Sequence, residues 1–98
     1  MDSMQGEGEL LPRIARELGK RVGFDLQPPT GERGRLILQV AREVAHAGER
    51  QHAPLAAYLL GRYAEMRRQG VGMAETDALA EAARDVGRIL GVDDLGRR

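Results

Sequence analysis

Residues 54–70 read PLAAYLLGRYAEMRRQG, and this stretch decides what kind of fold the chain can have. Leu55, Tyr58, Leu59, Leu60, Tyr63 and Met66 recur at helical spacing and cover more than half of a helix circumference. The remaining side carries Ala57, Gly61 and Ala64, small residues four and three positions apart. A helix that is apolar or small almost all round is buried on several sides, and small side chains let another backbone come close. Pro54 suits a first helical turn, where a missing N–H costs nothing, and Gly70 suits the position after a helix end. The spacing therefore predicts a helix over 54–69, central either to the fold or to an interface.

The pattern on both sides is also helical. Leu36, Ile37, Val40, Val44 and Ala47 form one stripe of a helix over 32–47, with Thr30 as its cap and Gly48 as its stop. Leu79, Ala82, Ala83, Val86, Ile89 and Leu90 form the apolar face of a helix over 74–90. Gly91 ends it, and Val92 is placed for the hydrophobic contact of a Schellman ending. Upstream, Leu11, Ile14, Ala15, Leu18 and Val22 mark a helix over 11–22 that opens on Pro12 and stops at Gly23. Its outer face offers the i,i+4 pairs Arg13–Glu17 and Glu17–Arg21. Pro28-Pro29 excludes helix from the following loop. No segment alternates with period two. The expected fold is all-α, a compact bundle of four helices with short loops, in one domain spanning 1–98. Residues 1–8 and 92–98 are expected to be poorly ordered.

Size and composition bound the function. A chain of 98 residues buries roughly 60–65% of its unfolded surface, enough for one modest core. Formal net charge is zero, with 15 basic and 15 acidic residues, which argues against a nucleic-acid partner. The absence of cysteine removes disulfides, thiolate catalysis and cysteine-ligated zinc. MDSMQGEGEL has neither the basic nor the apolar region of a secretory signal, and no apolar run approaches the ~20 residues of a membrane span. A cytoplasmic protein without membrane contact is expected. Fourteen of the basic residues are arginine and Asn is missing, which fits a GC-rich coding bias and carries no functional message.

Few side chains invite a chemical reading. His46 and His52 lie six apart, which is not a zinc spacing, and no HExxH-like grouping accompanies them. A histidine in the last turn of a helix interacts favourably with the helix dipole, so His46 reads first as a surface residue. GVGM at 70–73 lacks the remaining glycines and the lysine of a phosphate loop. Arg62, Arg67 and Arg68 are balanced by Glu65, Glu81 and Asp85, a solvated face rather than an anion site. Three aromatics, Phe24, Tyr58 and Tyr63, do not make a stacking platform.

The stretch AREVAHAGERQHAPLAAYLLGRY, residues 41–63, resembles a family of uncharacterised bacterial helical domains. The family's pattern runs approximately A-R-D-V-A-H-G, a short charged connection, then A-P-L-T-x-[FY]-L-x-G. The matching residues are Ala41, Arg42, Val44, Ala45, His46, Ala53, Pro54, Leu55, Tyr58, Leu59 and Gly61. Ala47 intervenes before Gly48, and Ala56-Ala57 stands where the family carries a hydroxyl. Members often occur fused to, or near, a molybdenum-cofactor guanylyltransferase. The resemblance therefore implies a bacterial accessory domain without assigned chemistry.

These readings point to a non-catalytic helical module, without cofactor or metal, that binds a protein partner or a second copy of itself. The candidate contacts are Ala57, Gly61 and Ala64 on the third helix, with Glu43, His46 and His52 at the adjoining corner. The alternatives are an accessory role in molybdenum-cofactor guanylyl transfer and a small-ligand site at Glu43, His46 and His52. Helix-turn-helix DNA binding ranks last, because no recognition helix stands out.

Overall fold

The computed structural model describes residues 3–97 and holds four helices: α1 (Ser3–Val22), α2 (Gly31–Ala47), α3 (His52–Val71) and α4 (Glu75–Leu90). No strand occurs among the described residues, and the fold is all-α as the periodicities require. Residues 1, 2 and 98 of the expected loose ends lie outside the described residues.

Three helices end on the same device. The chain turns into the left-handed region at Gly23, Gly72 and Gly91, with φ of 64°, 69° and 76°, where the missing Cβ removes the usual penalty. The next N–H then reaches back across the last turn: Phe24 to the Gly19 carbonyl, Met73 to Arg68 and Val92 to Gly87, at 3.0, 3.2 and 2.8 Å. Met73 and Val92 carry their side chains onto the core, as a Schellman ending requires. Gly70 is therefore not the stop of α3. The helix runs one residue past it, because Gly72 supplies the positive φ while Val71 still accepts helical geometry. Thr30 occupies the cap position of α2, but its hydroxyl makes no capping hydrogen bond.

Two boundaries differ further. α3 begins at His52, so Pro54 lies in its first turn rather than at its first position. α1 starts at Ser3, which puts Pro12 inside the helix instead of at its start and gives secondary structure to residues 3–8. A helix-interior proline forgoes one backbone hydrogen bond and costs about 3 kcal/mol, so α1 is intrinsically weak.

α2, α3 and α4 pack against one another pairwise, and α1 enters no helix–helix contact among the described residues. The radius of gyration is accordingly 14.6 Å, against about 13 Å for a compact chain of this length. The core consists of Leu36 and Val40 from α2, Leu60 and Ala64 from α3, and Ala78, Leu79, Ala80, Ala82 and Ala83 from α4. α4, not α3, is the central element. Its alanines and Gly87 are small enough for α2, α3 and the C-terminal tail to close on it together.

That tail corrects the expectation of a frayed end over 92–98. Leu95 is 2% exposed and is among the largest fully buried side chains. Gly96 turns at φ 83° against Ala80 and Arg84, and its carbonyl accepts from Arg84 Nη1 at 3.0 Å. The Arg35 guanidinium reaches the Arg97 carbonyl at 2.8 Å. One buried leucine and these backbone-directed hydrogen bonds outweigh the ordering entropy of a short polar segment.

Candidate functional site

The side of α3 that faces away from α2 and α4 is its most apolar side. Leu55, Tyr58, Leu59 and Met66 stand 62–67% exposed along it, whereas only Leu60 and Ala64 of this helix are buried. Where α3 meets α4, Leu59, Tyr63, Val86 and Ile89 border a groove floored by Val40, Ala56 and Leu60, with a volume of about 420 Å³. Ile89 belongs to the apolar face of the helix by spacing, yet it points outward at 83% exposure. The inner surface of α4 is already filled by Leu79, Ala82, Ala83 and the tail.

One edge of the groove is polar and tightly paired. Tyr63 donates its hydroxyl to Asp85 Oδ2 at 2.7 Å, and Arg67 reaches Asp85, Glu81 and the Tyr63 oxygen at 3.3, 2.7 and 3.2 Å. Arg88 closes on the other Asp85 oxygen. The Arg67 guanidinium also lies 5.8 Å from the Tyr63 ring centroid. The Tyr63 hydrogen bond, followed by Arg88 and Arg67, holds the Asp85 carboxyl below its ordinary range. This network fixes the Tyr63 ring at the mouth of the groove.

A second apolar surface lies on α1. Leu11, Ile14, Leu18 and Val22 share one face and are 43–68% exposed. Across the described residues, fifteen large apolar side chains are exposed and five are buried, so the protomer covers only a minority of them. Patches beyond a few hundred Å² on a monomer mark interaction sites. Full burial of one such side chain contributes about 1.5–3 kcal/mol at about 25 cal/mol per Å², hence about 60–120 Å² each. The four on α1 with Leu55, Tyr58, Leu59, Tyr63, Met66 and Ile89 then present roughly 350–700 Å² of apolar surface at their present exposures.

The residues singled out from sequence fall elsewhere. Of the small residues of α3, Ala64 is 4% exposed in the core and Ala57 is half-buried. Gly61 is exposed, and a Cβ added there would meet nothing within 4 Å, so no backbone comes close at this position. Gly61 and Ala64 instead line a cleft of about 190 Å³ with Arg33, Arg68, Glu65 and Glu75, whose charges are paired Arg33–Glu75 and Arg68–Glu65. Glu43 is half-buried on α2, while His46 and His52 are exposed in the last turn of α2 and the first of α3. His52 leans toward Gly48, with Nδ1 3.4 Å from where a Cβ would stand. No group of three metal-binding side chains occurs among the described residues, and none of their helices is long and apolar enough to cross a membrane.

The outward residues of α3 were visible in sequence as apolar, but periodicity marks which faces are apolar and not what covers them. Small residues suggested the contact side; the large ones, Leu55, Tyr58, Leu59 and Met66, occupy the open face. No curated protein and no solved structure matches the chain. The model of one family, described as Domain of unknown function (DUF6457), matches residues 4–94, and the chain belongs to that family.

Proposed function

We propose that this chain is a non-catalytic helical interaction module that binds protein through the outward face of α3 and the groove between α3 and α4. The observation that carries this reading is the exposure of Leu55, Tyr58, Leu59 and Met66 on a folded helix, beside an apolar groove with a fixed tyrosine at its mouth. Aromatic and methionine side chains around an apolar pocket, rimmed by paired charge, are the composition of an interface centre. The test is affinity capture with wild-type and Leu59→Glu protein. A partner retained by the first and lost by the second, with unchanged circular dichroism, supports the reading. A partner retained equally by both defeats it.

The resemblance in residues 41–63 adds a finer reading: an accessory role beside a molybdenum-cofactor guanylyltransferase in a bacterial cytoplasm. What supports it is the shared pattern alone. Co-purification of such an enzyme through the same α3 surface tests it, and binding that ignores Leu59→Glu counts against it.

A further inference from the structure

The stripe on α1 and the groove between α3 and α4 are apolar surfaces of matching kind, and the protomer leaves both open. Resting on the interaction reading above, we propose that the chain forms a two-fold dimer in which α1 of each copy lies along the α3–α4 groove of the other. Leu11, Ile14, Leu18 and Val22 would supply the inserted side chains, and Leu59, Tyr63, Val86 and Ile89 would receive them.

Three observations favour a second copy as the occupant. First, the chain covers a different flank of α1 with its own loop. The segment after α1 folds back onto Gly19, with Phe24 donating to the Gly19 carbonyl at 3.0 Å, and borders a pocket with Pro12, Arg16 and Gly23. At 100° per residue those positions lie about a quarter-turn or more from the stripe centred on Leu11, Leu18 and Val22. Gly19 is buried because the returning backbone sits where its Cβ would be, so the loop is seated on this flank at Gly19 and not on the stripe. Second, the area fits. A standard interface takes about 800 Å² per partner, some 56–65% of it apolar, and the two exchanged surfaces together offer roughly 250–500 Å² at their present exposures, which overlaps that requirement. Neither surface alone would reach it. Third, inserting helix and receiving groove belong to one chain, so reciprocal exchange makes every contact twice and closes after two copies.

Sedimentation equilibrium on wild-type protein, Leu18→Glu, Leu59→Glu and an equimolar mixture of the two variants tests this. Leu18 and Leu59 are 48% and 65% exposed in the protomer, so each variant should fold; circular dichroism checks it, with Leu18→Ser and Leu59→Ser as substitutes. Wild-type protein should reach twice the 10.7 kDa chain mass, and each variant should weaken the dimer at least about tenfold. The mixture should regain part of the association, because a heterodimer keeps one intact helix–groove contact. A dimer lost in Leu59→Glu but unchanged in Leu18→Glu would mean that α3 pairs with α3, overturning the exchange while leaving the interaction reading in place. Wild-type protein that stays monomeric from micromolar to millimolar concentration, or grows past two copies, overturns the dimer. In the monomeric case the capture experiment above still decides the interaction reading separately.

Discussion

Gly61→Ala and Gly87→Ala make the same chemical change inside two helices and should shift stability in opposite directions. In a helix interior the change from glycine to alanine is worth about 0.5–1 kcal/mol, because the flexible residue loses more conformational freedom on folding. At Gly61 the added methyl enters open space, so the whole gain should survive. At Gly87 it would stand 2.6 Å from the Val92 carbonyl oxygen and 3.1 Å from Leu95 Cβ. The first is backbone fixed by the Schellman turn, and the second belongs to a buried leucine, so neither yields cheaply. Overpacking of this kind costs about 1–3 kcal/mol, which cancels or exceeds the propensity gain. The two variants should thus differ by about 1–3 kcal/mol, and for a domain of this size each 1 kcal/mol moves the midpoint by about 4–8 °C. Urea unfolding followed by circular dichroism, at a concentration where association is negligible, measures both. Equal stabilisation by the two variants would refute the reasoning, since it would mean the 92–97 tail does not pack on α4.

Other consequences follow from the same packing. Leu95→Ala should destabilise by about 2–5 kcal/mol in chemical denaturation, the range for a fully buried leucine; a change under 1 kcal/mol would return the tail to the solvent. Pro12→Ala should raise helicity and slow amide exchange in α1 while leaving the unfolding midpoint of the monomer's core unchanged, because α1 packs on no other helix. Glu65 is held down to about 2 from its ordinary value near 4.5, first by the Arg68 guanidinium, at 2.8 and 2.9 Å, and then by Gln69. A depressed carboxylate stabilises the fold above its unfolded value and loses that contribution as pH falls through the folded one. Wild-type protein should therefore lose more stability than Glu65→Gln between about pH 4.5 and 2, by a small margin because the pair is solvent-screened; parallel acid titrations of the two would remove the claim.

Much of the architecture was legible because it rests on local chemistry. The four helices follow from apolar spacing, and the endings at Gly23 and Gly91 follow from a glycine after the last periodic residue. Where two glycines compete, as at Gly70 and Gly72, only the path of the chain decides which takes the positive φ. Leu95 was hidden because a single apolar residue within DDLGRR gives no period, and its burial depends on Gly87 leaving room for it. The all-round apolar character of α3 was plain, but the choice between core and interface depends on what α4 already fills. With four buried alanines and a glycine, α4 needs little of α3, and the large side chains of α3 are left outside. The same reason separates the Ala57–Gly61–Ala64 stripe: Ala64 is buried against the other helices, while Gly61 stays open.

Amide hydrogen exchange in α1, measured at two protein concentrations, tests most directly the claim that its stripe is uncovered in one copy and covered in two. In dilute protein the amides of residues 14–22 should exchange far faster than those of Leu79–Val86 in α4, and raising the concentration should slow them selectively. Protection of α1 equal to that of α4 in dilute, monomeric protein would show that the stripe packs against its own chain, contrary to the account given above.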